Sequence, residues 1–376
     1  MSKKNSTDVK LHLPNGNPSQ SPPPNPSTGT PSGFKAFVLP YLELMRLDRP
    51  NGYWYFWFPH VCGTLLASIQ YQMHPLNVLS SNLLLLWGVL IMRGATCTWN
   101  DTCDADYDRQ VSRCRHRPIA RGAVSITQAS IFTLAQTALC IGTLTVMPPL
   151  CALYSIPAVV GWFAYPLAKR VTYYPQVVLG FPMAWGVYMG AAAVGADPLH
   201  LKPLHDTIRS LLLGSPDASA DQFRSALVQI APDPATTALY MGNVLWTLCY
   251  ELVYSHQDAA EDAAAGVKNL ILLYYNRDPD ALPSERFGTK PLFAKIAACI
   301  VLLLAMTGYL GQLDLIWEIF GVAGCAIGLG IMIATVKLED PGSCAWWFKV
   351  GNAKYVGGAM VGGLVGAYTM QWMGPL

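Results

Sequence analysis

Charge is what this chain of 376 residues has least of. Asp, Glu, Lys and Arg make up 13% of it, against roughly a quarter in a soluble globular protein. The formal net charge of +2 is too small to suggest nucleic-acid binding. The ten cysteines include no CxxC pair and no Cys/His cluster at zinc-ligand spacing. Most stand in apolar segments as small hydrophobes; Cys103 and Cys114 lie in a charged loop. There is no internal repeat and no secretory apolar core near the start. Arginine is missing before Arg46, which argues against a mitochondrial transit peptide. A disulfide-stapled secreted protein, a disordered chain and a soluble cytosolic enzyme are therefore poor fits.

What is present is apolar surface: 52% hydrophobic residues, with 11 Trp, 18 Tyr and 12 Phe, and a mean hydropathy of +0.30. Residues 1–33 are rich in Ser, Pro, Asn, Thr and Gly and are expected to form a disordered tail. Beyond it, nine apolar stretches approach the roughly 20 residues that span a bilayer. They lie near 51–70, 81–99, 126–146, 150–168, 175–193, 237–256, 293–311, 314–336 and 354–373. The predicted fold is an all-α polytopic membrane bundle of nine transmembrane helices, a single domain over 34–376. A long polar insertion at 194–236 is expected to carry a short amphipathic helix around 221–231. Twenty of the 25 Lys and Arg fall in the N-terminal region to residue 50 and in the loops after even-numbered helices. By the positive-inside rule those loops face the cytoplasm and the insertion faces away from it.

The chemistry concentrates at the cytoplasmic mouths of two of these helices. In Trp99-Asn100-Asp101-Thr102-Cys103-Asp104-Ala105-Asp106-Tyr107-Asp108-Arg109, the residues Asn100, Asp104 and Asp108 recur every four positions, and Asp101 joins them by its step of three to Asp104. Three carboxylates and an amide on one helical face repel one another unless cations sit among them. Hard oxygen ligands of this kind suit Mg²⁺ bound together with substrate phosphates. A solvated acidic loop balancing the arginines beyond it is the plain alternative. The second segment, Tyr254-Ser255-His256-Gln257-Asp258-Ala259-Ala260-Glu261-Asp262, places Tyr254, Asp258 and Asp262 at the same spacing, with Lys268 just beyond. Either half alone is weak, but two acidic clusters at one membrane face would hold two metal ions that grip a diphosphate.

Cationic groups surround these segments. Tyr165 and Lys169 are one turn apart at the end of the fourth helix. Arg46 and Arg49 precede the first, and Arg117 and Arg121 come after the first acidic segment. Each can neutralise phosphate, and each can equally be a positive-inside anchor. Arg93 differs, because it lies inside the second apolar span, where a charge marks a functional site and calls for a carboxylate partner.

With these residues in place, the sequence resembles the UbiA superfamily of intramembrane aromatic prenyltransferases. Asn100, Asp101, Asp104 and Asp108 match the family's NDxxDxxxD motif. Arg117-Pro118-Ile119-Ala120-Arg121-Gly122 resembles its RPLxxG continuation, Tyr254, Asp258 and Asp262 its YxxxDxxxD, and Tyr165 and Lys169 its YxxxK. Arg46-Leu47-Asp48-Arg49-Pro50 resembles the segment leading into its first helix, and the likeness runs from about residue 40 to 375. It is closest to the fungal branch that farnesylates polyketide-derived aromatic acids for meroterpenoids. The runs Gly52-Tyr53-Trp54-Tyr55-Phe56-Trp57-Phe58-Pro59-His60 and His256-Gln257-Asp258 carry that likeness. The 4-hydroxybenzoate polyprenyltransferases of ubiquinone synthesis share much of it. Two departures are visible: Ala259 and Ala260 thin the second acidic motif, and Glu251 stands where many relatives have Asp.

The resemblance implies Mg²⁺-dependent transfer of a prenyl group, farnesyl in that branch, from its diphosphate to a carbon of a phenolic aromatic acid. It places metal on Asn100, Asp101, Asp104, Asp108, Asp258 and Asp262, the carboxylates and Lys169 in catalysis, and Arg46, Asn100, Arg117, Arg121, Tyr165, Tyr254 and Lys268 on substrate. Trp54, Tyr55, Trp57, Trp99 and Trp185 are candidates for shielding an allylic cation. Gly180, Gly186 and Gly190 fit close helix packing better than room for a lipid tail. The partners expected are the prenyl diphosphate, the aromatic acid and the lipid bilayer, with no nucleic acid and no obligate protein partner. An endoplasmic reticulum or Golgi membrane is expected from the missing transit signal. A cation-coupled transporter would need sites at the bilayer midplane on broken helices, which the sequence does not display. A lipid-phosphate hydrolase would use the same metal grip and pass the cation to water.

Overall fold

The computed structural model describes residues 33–49, 51–112, 114–215, 219–259, 261–262, 268–274 and 288–373. The tail expected over 1–33 lies outside them except for Gly33, as do Pro50, Arg113 and the 263–267 stretch before Lys268. By internal contacts the chain divides after Val38, and the larger unit, Leu39–Leu376, carries the helical bundle and the site.

Among the described residues every regular element is helical. The elements are α1 (Phe34–Leu44), α2 (Asn51–Gln70), α3 (Pro75–Cys103), the single turn α4 (Ala105–Asp108), α5 (Ile126–Leu144), α6 (Leu150–Val171), α7 (Pro175–Ala184), α8 (Gly186–Ala193), α9 (Lys202–Leu212), α10 (Ala220–Val228) and α11 (Pro234–Ser255). A 3₁₀ turn at Leu270–Leu273 precedes α12 (Lys290–Gly311). A π-helical stretch (Trp317–Ala323) leads into α13 (Gly324–Thr335). Then α14 (Pro341–Trp346) runs through a second π stretch (Trp347–Gly357) into α15 (Gly358–Met373). All nine apolar stretches fall on helix. Among the described residues, five helical spans are long and apolar enough to cross a membrane: Pro75–Cys103, Leu150–Ala168, Pro175–Ala193, Lys290–Gly311 and Trp317–Thr335. α2, α5 and α11 are comparably long but mix Tyr, Trp, Gln, Thr and Asn into their apolar faces.

Local chemistry explains where the helices begin. Ser125 caps α5 in a reciprocal pair with Gln128. Asp233 caps α11 by accepting from the Thr236 amide and hydroxyl, both at 2.7 Å. The two π stretches share one device, a Trp folded over a glycine four residues on. A Cβ at Gly321 would fall 2.3 Å from the Trp317 ring, and one at Gly351 would fall 2.2 Å from the Trp347 ring. In each stretch the hydrogen-bond step lengthens from four residues to five, and the indole lies against the backbone there.

Two expectations change. The insertion carries two helices, α9 and α10, and α9 is the more amphipathic; its Pro203 sits in the first turn, where it does no harm. The last helical segment starts at Pro341, not near 354. Lys349 and Lys354 therefore stand within a helix, where their charges had interrupted the apolar run.

α2 crosses α8 with backbones nearly touching. A Cβ on Gly63 would lie 1.9 Å from the Val187 carbonyl oxygen, and one on Gly190 would lie 2.1 Å from that of His60. Gly186 likewise abuts the His60 ring, and Gly180 meets Val244, so these glycines serve packing. Gly63→Val should force the two helices apart and cost on the order of 1–3 kcal/mol. Gly142→Ala, where an added Cβ meets nothing within 4 Å, should be neutral or slightly stabilising. Thermal unfolding of both purified variants in detergent checks the contrast.

Candidate active site

The end of α3 sets the site's geometry. The helix ends at Cys103, Asp104 forms its C-cap, and one further turn, α4, carries Asp108. The i→i−4 ladder nevertheless passes through the break, with Asp104 N donating to Asn100 O and Asp108 N to Asp104 O, both at 2.8 Å. The carboxylates thus succeed one another on roughly one face while the chain bends between two cavities. Asn100 and Asp101 line one cavity, and Asp104 and Asp108 line the other. Arg170 fixes the bend by donating to the Cys103 carbonyl at 2.6 Å, one of the acceptors a helix end leaves open.

The second acidic segment departs from the single helical face its spacing suggested. α11 ends at Ser255, and His256 caps it. After a turn at 256–257, Asp258 opens a new helical turn, its carbonyl accepting from Asp262 N at 2.8 Å. Tyr254, Asp258 and Asp262 still face the same space. They line a cavity of about 120 Å³ together with Asp104, Asp108, Arg117, Tyr165, Arg170 and Lys268. The two acidic segments are also tied directly: Ser112 donates to Glu261 through its amide (3.0 Å) and its hydroxyl (2.6 Å).

A second cavity, of about 630 Å³, adjoins the first. Arg117, Tyr165, Glu251 and Tyr254 line both. Its further lining includes Arg46, Asn100 and Asp101 at one side and Tyr55, Phe56, Trp162, Tyr250 and Phe348 at the other. The rings form one cluster: Tyr55 lies 4.1 Å from Tyr250 and 5.5 Å from Phe348, and Tyr254 lies 4.4 Å from Phe348, between ring centres. The Tyr55 hydroxyl donates to the Phe348 carbonyl. Of the aromatics expected to shield a cation, only Tyr55 faces this space. Trp57, Trp99 and Trp185 give their indole N–H groups to the carbonyls of Asn82, Phe163 and Tyr154, and Trp54 is exposed.

Asp101 is 1% exposed and is held by two guanidinium groups. Arg46 Nη2 reaches both its oxygens, at 2.7 and 2.9 Å, and Arg117 Nη1 reaches one at 3.0 Å. Arg117 also donates to Asp108 at 2.8 Å. Burial pushes the Asp108 carboxyl above its ordinary pKa; Arg117 opposes the shift, and Asp101 and Asp104 add to it. Burial also works against charge on Arg117, but Asp101 and Asp108 outweigh it and keep the guanidinium protonated.

Among the described residues, Arg93 has no carboxylate partner of the kind expected. Its guanidinium points to the carbonyls of Arg46 (3.2 Å), Arg49 (3.3 Å) and Met45 (3.5 Å) and stacks 4.1 Å from the Tyr53 ring centre. It holds the turn between α1 and α2, where Arg46 adopts a left-handed φ of 59°. Gly52 makes room for it, since a Cβ there would meet Arg93 Nη2 at 2.3 Å.

Arg121 lines neither cavity. It pairs with Glu43 at 2.7 Å and donates to the His116 carbonyl. Lys268 lines the smaller cavity and lies 3.5 Å from the Val171 carbonyl. Lys169 is on α6, its side chain outside the described residues. Two contributors escaped sequence reasoning. Gln176 bridges Ser255 Oγ (3.0 Å) and Leu270 N (3.2 Å). Asn269 donates to Asp262 at 2.8 Å. Neither carried a signal in the sequence. Glu251, seen there only as a departure from relatives, lies on the wall between the cavities.

Among the described residues, no three His, Cys, Asp or Glu side chains converge closely enough to hold a metal ion by themselves. Guanidinium and amide groups instead engage Asp101, Asp108 and Asp262. The donor set still fits a hard cation, and the Asn100 Oδ1 atom is buried with no hydrogen-bond partner, an acceptor left open beside the carboxylates.

Comparison with known proteins gives a consistent result. The profile described as "UbiA prenyltransferase family" matches residues 56–356. Prenyltransferase ascA of Acremonium egyptiacum is 32% identical over 84% of this chain and 82% of its own length. Prenyltransferase stbC of Stachybotrys bisbyi is 31% identical over 87% and 88%. The mitochondrial 4-hydroxybenzoate polyprenyltransferase of Saccharomyces cerevisiae is 32% identical over 83% and 72%. In fold, the chain is similar to a UbiA homolog from Aeropyrum pernix K1, with a TM-score of 0.57 at 19% identity over 85% of this chain and 98% of that one. It is also similar to a UbiA homolog from Archaeoglobus fulgidus bound to GPP and Mg²⁺, with a TM-score of 0.55 at 16% identity over 88% and 99%.

Asp101→Leu should cost on the order of 3–5 kcal/mol, because it strands the largely buried Arg46 guanidinium and takes from Arg117 one of its two carboxylates. Adding Arg46→Met to it should recover part of that loss. Midpoints of thermal unfolding for wild type, single and double variants provide the check.

Proposed function

The chain belongs to the UbiA prenyltransferase family and is an aromatic prenyltransferase, and on that premise we propose that it transfers a farnesyl group from farnesyl diphosphate to a ring carbon of a phenolic acid of polyketide origin, in meroterpenoid synthesis. The observation that carries this reading is the convergence of two distant acidic segments on one small polar cavity that shares a wall with a larger aromatic one. An amphiphilic diphosphate has its head in the first and its reacting carbon in the second.

In this reading the C–O bond between the allylic carbon and the diphosphate breaks, a C–C bond to the ring forms, and the ring proton leaves. Asn100, Asp101, Asp104 and Asp108 on one side, with Asp258 and Asp262 on the other, would hold Mg²⁺, which when bound supplies positive charge to the departing diphosphate. Arg117, Tyr165 and Lys268 bind the diphosphate oxygens, and Lys169 joins them from its position one turn after Tyr165. Arg46 holds Asp101 in place. The rings of Tyr55, Tyr250, Tyr254 and Phe348 exclude water and offer π faces to the allylic cation. Asn269 and Gln176 keep the second acidic segment facing the first. All nine apolar helical stretches cross the bilayer, an endoplasmic reticulum or Golgi membrane, with both acidic segments at the cytoplasmic face, and residues 1–33 are a cytoplasmic tail.

A second reading, 4-hydroxybenzoate prenylation with a polyprenyl donor, is favoured by the equal identity of the chain to ascA and to the Saccharomyces enzyme.

Membranes carrying the protein, given Mg²⁺ and radiolabelled farnesyl diphosphate, should prenylate orsellinic-type acids. The product should disappear with excess EDTA and return with Mg²⁺, and Asp104→Ala or Asp258→Ala should lower the rate by about 10²-fold or more. Product from 4-hydroxybenzoate with longer donors alone would move the protein to the quinone pathway. No transfer with any pair by folded protein would overturn the assignment of these substrates.

A further inference from the structure

The insertion between α8 and α11 stands on a tied stem. Ala231 N donates to the Leu199 carbonyl at 3.2 Å, Asp233 N donates to that of Pro198 at 2.6 Å, and the His200 ring meets the Ala231 carbonyl at 2.6 Å. Asp197 accepts from the Tyr154 hydroxyl at 2.7 Å and from the amides of Leu201 and Lys202, both at 2.8 Å. Its carboxylate thus holds the start of α9, where negative charge is favourable, and binds it to α6.

What the stem carries is left uncovered. α9 buries none of its residues, and α10 buries Ala226 alone. Lys202, Asp206 and Arg209 share one face of α9, while Leu204, Ile208 and Leu211 lie on the other. Leu212 is 82% exposed and Val228 86%, and Leu211, Leu213, Leu227 and Ile230 are exposed as well.

The stem also marks a level across the bundle. α11 leaves it at Pro234 and reaches the acidic site 22 residues later at Ser255. That is a rise of about 33 Å, against roughly 30 Å for the hydrocarbon of a bilayer. A Cβ on Gly311, at the end of α12, would lie 3.5 Å from Ala235 Cβ and 3.3 Å from Leu66 Cδ1. Gln371, near the end of α15, donates to the Ile69 carbonyl at 3.0 Å. α2, α12 and α15 therefore all end beside the stem, and each brings an exposed ring there: Tyr71, Tyr309 and Trp372. Exposed Tyr and Trp at one level mark the boundary between hydrocarbon and head groups.

We propose that α9 and α10 form an interfacial anchor, lying in the head-group layer of the leaflet opposite the active site with their exposed leucines among the lipid chains. The partner is a neutral lipid surface. Residues 202–230 carry three Lys or Arg and three Asp, so burial of apolar side chains, and not attraction to anionic head groups, holds the anchor down. This goes beyond the prenyl-transfer reading and depends only on the bundle crossing the bilayer.

Photo-crosslinking of the full chain in membranes containing alkyne-tagged phosphatidylcholine tests it. p-Benzoylphenylalanine is placed singly at Leu212, Leu213 or Val228, at Asp206 on the charged face, and at Leu302, an exposed residue of α12. Leu212 and Leu213 should yield tagged lipid adducts as Leu302 does, Asp206 should yield none, and high salt should not reduce the yield. Thermal unfolding in detergent establishes that each variant is folded, and if one of the leucine variants is not, the other and the Val228 variant decide. Adducts of twice the chain mass from Leu212 and Leu213 would overturn the lipid assignment in favour of a second copy. Lipid adducts from Leu302 with none from Leu212, Leu213 or Val228 would overturn the anchor and leave the membrane-spanning bundle standing. No adduct at Leu302 either would remove both, while prenyl transfer stands or falls by its own assay.

Discussion

The burial of Asp101 is the constraint on which the site depends. A carboxylate with 1% exposure at the end of an apolar helix is tolerable only if its charge is met within hydrogen-bond distance. Two guanidinium groups from different parts of the chain meet it. Arg46 comes from the turn between α1 and α2, and Arg117 comes from the loop after α4. The demand then propagates outward. Arg46 reaches Asp101 from a left-handed backbone position, which costs a non-glycine residue about 1–2 kcal/mol. Arg93 secures that turn by bonding its carbonyls, and Gly52 leaves space for Arg93 to do so. Arg117 in turn reaches Asp108, so one ionic chain fixes both the turn before α2 and the first acidic segment.

Helix termini do the rest of the positioning. The acidic segments belong to the last turns of α3 and α11 and the short turns after them, where the backbone can bend and its carbonyls need outside donors. Arg170 meets that need at Cys103. Gln176 stitches the end of α11 to the turn that carries Asn269, and Asn269 holds Asp262. The Ser112–Glu261 pair closes the gap between the two segments. An interior helical position would hold a carboxylate more rigidly, but it could not turn four of them from separate elements toward one 120 Å³ space.

This pattern explains what the sequence disclosed and what it did not. Apolar runs depend on composition over twenty residues, so all nine were visible and all nine lie on helix. The acidic spacing was visible too, since the hydrogen-bond ladder persists through the break at Asp104. Partnership was harder to read. Arg93 looked like half of an ion pair, yet backbone carbonyls at a helix junction satisfy it, and sequence spacing carries no record of them. Arg121 has the same motif credentials as Arg117 but falls on the outer side of its loop, against Glu43. Lys349 and Lys354 broke the apolar run and hid the first half of the last helical segment. Gln176 and Asn269 are common residue types whose role exists only once α7, α11 and the 3₁₀ turn are adjacent.

The two cavities of the site share a wall in the order that an amphiphilic diphosphate would require. Arg117, Tyr165, Glu251 and Tyr254 separate the carboxylate-lined space from the aromatic one. Polarity therefore falls along a path between helices. On the proposed reading, a diphosphate head would be stabilised at the first step, where cations and carboxylates can be neutralised together. A donor lying the wrong way round would bury its charge among aromatic side chains and place its hydrocarbon against carboxylates, each a cost of several kcal/mol. This gradient would orient the donor before any single residue selects it and would leave the allylic carbon beside the rings.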